Sequence, residues 1–340
     1  MPDHDSWLEA GAFAVAERVH RIPLPLPNDA LRSVNVYAIT DGDGLSLIDS
    51  GWALAESRDR LEQSLGLLGH DLSSIKRFLV THIHRDHYSQ ASLLRKLFGS
   101  RISLGAGERD NLTEMQLRPQ SYSPKLTTRF VRAGARNLIE ELVRPDDGKD
   151  QDPAEWVEPD DWLHDGDVIS VGTSRLAVVA TPGHTAGHVM FHDADNQLLF
   201  SGDHILPTIT PSIGYEPSPT LRSLQDYLNS LARAAAIAGS ILLPAHGPVR
   251  PSAAQRVADL QQHHTARLEH TLEAVCAGAS TAMEVAKQLR WTRHERRLEE
   301  LSLFNQMLAV NETLAHLEAL HFQGAAELTV VDAVAHYMPT

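Results

Sequence analysis

Through the first 250 residues, short apolar runs alternate with longer stretches in which apolar positions recur every three or four residues. RIPLPLPND (21–29) is extended and punctuated by proline. VNVYAIT (34–40), a DGDG turn and LSLIDSG (45–51) then predict a hairpin. Leu54, Leu61, Leu65 and Leu68 fall at helical spacing, RFLVTH (77–82) has the pattern of a short buried strand, and YSQASLLRKLFGS (88–100) that of a helix before the strand RISLGAG. Residues 107–160 lose this regularity and predict a mostly helical insertion broken at Pro119, Pro124, Pro145 and Pro153. Strands return at DVISVG, RLAVVATPG, HVMFHD and QLLFSGD. A helix over 221–238 and the run ILLPAHG follow. Beyond Pro251 the pattern is almost wholly helical, with one β-like run, AELTVV (326–331). This places one domain at 1–250 and a second at 251–340.

Polar residues of one chemical kind follow the strand patterns. THIHRDH (81–87) begins where RFLVTH ends, and His184, Asp203 and His246 each follow an apolar run and a glycine or proline. At a strand's end His82 and His84 can share a direction, because alternate side chains share a face, whereas the adjacent Asp86 and His87 diverge. One pair can therefore serve one metal and the other pair a second. Imidazoles with a carboxylate suit zinc, and Asp203 between the two sets gives a two-metal site with ions about 3.5 to 4 Å apart. Iron or manganese would satisfy the same residue types.

The series LIDSG, THIHRDH, TPGHTAGH, FSGD and PAHG, in this order from about Val34 to Pro248, resembles that of the metallo-β-lactamase superfamily. The resemblance implies a four-layer αββα sandwich. It also implies His82, His84 and His184 on the first metal, Asp86, His87 and His246 on the second, and Asp203 bridging. Asp49 and His188 match supporting positions, Asp49 behind the ligand loop and His188 at the turn around His184; turn capping is the alternative. The implied chemistry is hydrolysis by a metal-bridging hydroxide oriented by Asp86. True metallo-β-lactamases usually lack the bridging carboxylate, so a β-lactam is expected only as a side substrate. Glyoxalase II shares TPGHTAGH and the aspartate but carries its last histidine in a different local sequence from PAHGPV, so the resemblance implies its general chemistry, hydrolysis of an ester-type bond such as a thioester or lactone, without its glutathione-thioester specificity. The helices after residue 251 and the short β run resemble the C-terminal winged helix of lactamase-like hydrolases, some of which are ribonucleases.

Charge and composition narrow the partner. The formal charge is −14, and residues 251–340 hold seven Lys and Arg against eleven Asp and Glu, a poor surface for a polyanion. No nucleic-acid partner is expected. A phosphodiesterase or ribonuclease with the same metals is the alternative enzyme, and a metal-binding regulator acting through the winged helix is the alternative from another class. The tail module is expected to pack, close the pocket or form a homodimer. The insertion departs from the acidic background: Arg118 to Ile139 carries five basic residues and no acid. Arg129, Arg132 and Arg136 would lie on one face of a continuous helix there, and with Tyr122 they are candidates to meet an anionic substrate. Cys276 is the only cysteine and is expected to be a small buried residue, as in a reducing compartment. His263 and His264 lie on a polar helix and are expected at the surface. The acidic start lacks the basic flank of a signal peptide and no run reaches membrane-spanning length, so a cytoplasmic protein without membrane contact is expected.

Overall fold

Strand alternation places the chain's apolar side chains on two opposed sets of faces, and the fold follows from burying both. The computed structural model describes residues 6–27, 31–117, 123–142 and 156–340. Seven strands form the first sheet in chain order: β1 (Phe13–Ala16), β2 (Val19–Pro25), β3 (Ser33–Asp41), β4 (Gly44–Ile48), β5 (Ile75–Val80), β6 (Arg101–Gly105) and β7 (Asp161–Leu163). The first four pair antiparallel and β4 to β7 pair parallel. The second sheet has the order β12-β11-β10-β9-β8, from β8 (Val168–Val171), β9 (Ser174–Ala180), β10 (Val189–Asp193), β11 (Leu198–Gly202) and β12 (Ile241–Pro244). Only β11 and β12 are parallel within it.

The period of two is visible in the packing. Tyr37, Ile39, Ile48 and Leu79 of the first sheet meet Val178, Phe191, Phe200 and Leu243 of the second. Their chain neighbours point outward. Val36, Leu47 and Phe78 pack under helices α1 (Ala55–Gly66) and α2 (Arg85–Phe98), and Met190, Leu199 and Leu242 under α6 (Ser223–Ala234) and the later helices. The result is four layers, helix, sheet, sheet and helix, as expected.

The insertion supplies α3 (Arg109–Leu117), α4 (Pro124–Arg132) and α5 (Arg136–Leu142) among the described residues. After β12 come α7 (Ala254–Cys276), α8 (Ala282–Gln288), α9 (Leu303–Phe322) and the hairpin β13 (Ala326–Val331) and β14 (Val334–Pro339). These are not walled off from the rest. Val257 and Leu260 at the start of α7 belong to the core over the second sheet, while Ala274 and Val275 at its end belong to a C-terminal core that also takes in Leu126, Phe130 and Ile139 of the insertion.

Three expectations change here. Helix α4 ends at Arg132 and the chain turns through Gly134, at φ +73°, so Arg136 opens a new helix and no continuous arginine face exists. His264 is fully buried between α7 and α9, its Nδ1 3.2 Å from His316 Nε2, whereas His263 beside it is exposed. Cys276 is exposed because it sits at the last turn of α7, beyond the side that packs.

Candidate metal centre

The ends of β5, β9, β11 and β12 meet on one edge of the sandwich and release their polar residues into one place. His82 and Ile83 form the turn after β5, His84 occupies the N-cap position of α2, and Asp86 and His87 lie in the first turn of that helix. His184 and His188 occupy the connection from β9 to β10, Asp203 follows β11 and His246 follows β12. The turn before Asp203 needs glycine. Gly202 has φ +50°, and a Cβ there would lie 2.6 Å from His188 Nε2 and 2.8 Å from Thr81.

Hydrogen-bond partners fix the imidazole tautomers, because carbonyl and carboxylate oxygens only accept. His84 Nε2 donates to Tyr215 O at 3.0 Å and His184 Nδ1 to Ser212 O at 2.7 Å, leaving a lone pair on the opposite nitrogen of each ring. Thr81 Oγ1 donates to Asp49, so it accepts from His82 Nδ1, and His82 Nε2 is the third lone pair. These three nitrogens lie 3.0 to 3.2 Å apart. Three lone pairs at that separation repel one another unless a cation lies among them.

A second set lies beside the first. His87 Nδ1 donates to Asp49 Oδ2 at 2.9 Å and His246 Nδ1 to Ser33 O at 2.8 Å, so both Nε2 atoms face inward. His87 Nε2 is 3.5 Å and His246 Nε2 3.4 Å from Asp86 Oδ2. Asp203 reaches both sets: Oδ2 is 3.6 Å from His184 Nε2, and Oδ1 is 3.8 Å from His87 Nε2 and 3.4 Å from His246 Nε2. His87 Nε2, His246 Nε2 and Asp203 Oδ1 are buried with no hydrogen-bond partner among the described residues. Buried polar atoms are ordinarily satisfied, so orphans that converge on one point fit a metal. Within each of the groups His82–His84–His184, His82–His87–Asp203 and Asp86–His87–His246, the ligand atoms lie within 4.8 Å of one another.

The two sets differ electrostatically. Burial pushes His82 and His184 well below the ordinary imidazole range and lowers His84 as well. Burial acts the same way on His87 and His246, but neighbouring carboxylates outweigh it. Asp86, Asp49 and Asp203 hold His87 up at about 10, and Asp203 with Asp86 holds His246 at about 8. Asp86, despite its burial, is pulled below the usual carboxylate range by His87 and His246.

Asp49 and His188 lie against the ligands. Asp49, at φ +60°, accepts from Thr81 N at 2.8 Å as well as from His87. His188 stands behind Asp203, accepting its backbone N–H at 3.1 Å, and its Nδ1 lies 2.8 Å from Thr181 Oγ1. Arg129 and Arg132 are not brought to the centre. Arg129 is 5% exposed, paired with Glu318 of α9 at 3.1 Å and bonded to Asn311 at 2.6 Å, and Arg132 Nε lies 4.0 Å from the same glutamate. The apolar side of α4 draws these arginines into the interface with α9, so their charge answers Glu318. Tyr122 lies outside the described residues.

Sequence reasoning missed a buried network beneath the first set. Glu108 Oε1 accepts from Ile83 N and Thr185 Oγ1, and Oε2 accepts from Asn111 Nδ2, which also donates to Glu216 Oε2. Glu216 in turn accepts from Ala186 N at 2.8 Å. The two ligand turns are thus tied to each other. Burial pushes the Glu108 carboxyl up to about 7; burial and the facing Glu108 push Glu216 to about 8. The only trace in the sequence was Gly105 and Gly107 beside Glu108, where the chain passes so close to the His184 turn that a Cβ on Gly187 would lie 2.2 Å from Glu108 N.

Residues 29–246 match the family model of the metallo-beta-lactamase superfamily. A probable metallo-hydrolase of Bacillus subtilis is 27% identical over 322 residues, 90% of this chain and 92% of its own length. The crystal structure of a metallo-beta-lactamase family protein from Thermus thermophilus superposes with TM-score 0.79 at 27% identity, covering 96% of this chain and 100% of that one. An acyl-coenzyme A thioesterase of Gallus gallus is 28% identical over 207 residues, 58% of this chain and 63% of its own.

Proposed function

Because this chain belongs to the metallo-beta-lactamase superfamily, we propose that it is a binuclear metal-dependent hydrolase of small-molecule ester-type bonds, a thioester or lactone. The observation that carries the binuclear reading is Asp203, whose two oxygens face the two ligand sets separately. His82, His84 and His184 would hold one metal, Asp86, His87 and His246 the other, with zinc favoured by the imidazole-rich donors. A bound divalent pair supplies Lewis acidity at the scissile carbonyl and lowers the pKa of a water it binds to about 7.

The protein's own groups then divide the work. The Asp86 side chain is 19% exposed against 8% for Asp203 and lies beside both inward-facing nitrogens of the second set, so Asp86 is the carboxylate placed to orient the attacking water. Asp49 keeps His87 in its inward-facing tautomer, and His188 holds the backbone of Asp203. The thioesterase relative supports a thioester substrate. The acidic charge weighs against a phosphodiester and against a regulator working on nucleic acid.

In this reading residues 1–250 are the catalytic domain of a cytoplasmic protein. Among the described residues, no helix is long and apolar enough to cross a membrane. Residues 251–340 form a winged-helix-like module, supported by the order of three helices and a hairpin, that packs or dimerises. The test is turnover by zinc-loaded protein of a panel of a thioester, a lactone, a β-lactam and a phosphodiester. Thioester or lactone turnover at least tenfold above the other two is expected; preference for the phosphodiester would transfer the proposal to that class.

A further inference from the structure

The His246 turn is held by the opposite sheet. Asn35 of β3 is fully buried on the face that β3 turns toward the second sheet, and its hydrogen-bonding capacity is directed at that turn. Its backbone N–H donates to Ala245 O at 2.6 Å, and its Nδ2 donates to Pro244 O at 3.0 Å and to Gly247 O at 2.8 Å. Tyr37, two residues on and so on the same face, donates its hydroxyl to Pro244 O at 2.8 Å. Three carbonyls flanking His246 are therefore turned toward β3, and His246 Nδ1 is bonded to Ser33 O on the same strand.

The amide orientation of Asn35 is itself determined. Arg21 of β2, 7% exposed, donates Nη1 to Asn35 Oδ1 at 3.0 Å. A guanidinium on one side and two carbonyls on the other admit one assignment of oxygen and nitrogen. Arg21 is held in turn by Trp7 O at 2.6 Å and by the ring of Phe13, 5.0 Å from its guanidinium carbon. This chain of contacts ends at His246 and touches none of His82, His84 or His184.

We propose that Asn35, oriented by Arg21, is the positioning residue for His246 and sets the retention of the second metal without setting that of the first. The inference rests on the binuclear reading. Asn35→Asp is close to isosteric and keeps the contact to Arg21, but it replaces two donors by an oxygen facing two carbonyl oxygens. Arg21→Met leaves the amide and removes what orients it.

The experiment is a zinc titration of the full chain against a competing chelator, for wild type, Asn35→Asp and Arg21→Met, with thermal unfolding of each. Asn35→Asp is expected to weaken the second zinc about 10- to 100-fold, with the first unchanged within about twofold. Arg21→Met is expected to give a smaller loss confined to the same zinc. A residue that merely supports the fold would lower both affinities and the melting temperature together. Parallel loss of both zincs, or no loss of either, overturns the inference. If Asn35→Asp does not fold, Arg21→Met decides alone. Wild type that binds fewer than two zincs removes the binuclear reading itself and this inference with it, a failure distinct from two zincs that the substitutions leave in place.

Discussion

Single residues set the pH behaviour of the centre. His87 and His246 are held protonated up to about 10 and about 8, so a metal on their set must displace protons at neutral pH. His82, His84 and His184 are pushed the other way and are already neutral there. The sign follows: affinity for the second metal should begin to fall as pH drops below about 10, where His87 takes up a proton, and fall more steeply below about 8, where His246 does too, while the first stays nearly level down to the ordinary imidazole range. Metal retained after dialysis at pH 8.5, 7 and 6 checks this, and equal loss of both metals would contradict it. Asp86→Asn should lower kcat by about 100-fold if the carboxylate orients the attacking water; a zinc-replete variant with unchanged kcat would remove that role. The seven residues that converge at the sheet edge stood out in the sequence because a histidine or aspartate just past an apolar strand has few structural reasons to be there. Glu108 and Asn35 did not: each is one polar residue with partners on a distant turn, Thr185 for Glu108 and Pro244 and Gly247 for Asn35. For Asn35 the only trace was a polar side chain inside the apolar run VNVYAI.

At the scale of elements, helix α4 shows where periodicity misleads. Its arginines read as a basic face toward a ligand, yet the partner of that face is Glu318, 189 residues on in the sequence. No local pattern announces such a pair. Arg129→Met should destabilise the fold by about 3 kcal/mol, because it leaves the Glu318 carboxylate, 3% exposed, with only Arg132 Nε at 4.0 Å. Combining it with Glu318→Leu should recover most of that loss in denaturant unfolding. If Arg129→Met instead raises KM and leaves stability unchanged, the arginine serves substrate after all. Strands and helices of the sandwich were legible from their periods; the short β1 and β7 were not, since three or four half-buried residues at an edge carry too little alternation.

At the scale of the whole molecule, α7 belongs to two cores, and the C-terminal core includes residues from the insertion. The composition change near residue 250 marks a change of architecture, and residues on both sides of it share cores. A chain ending at residue 250 would uncover Tyr227, Leu231 and Leu242, which pack with Val257, Leu260 and Ala315, and is expected to be insoluble or to lose its cooperative thermal transition. A soluble, cooperatively folding fragment would show instead that the sandwich stands alone. The measurement that bears most directly on the binuclear centre is zinc content per chain, by elemental analysis of wild type and Asp203→Ala after identical loading and dialysis. Two zincs per wild-type chain and at most one in Asp203→Ala are expected, because one carboxylate serves both ligand sets; a single zinc in wild type, or two in the variant, would contradict a bridging Asp203.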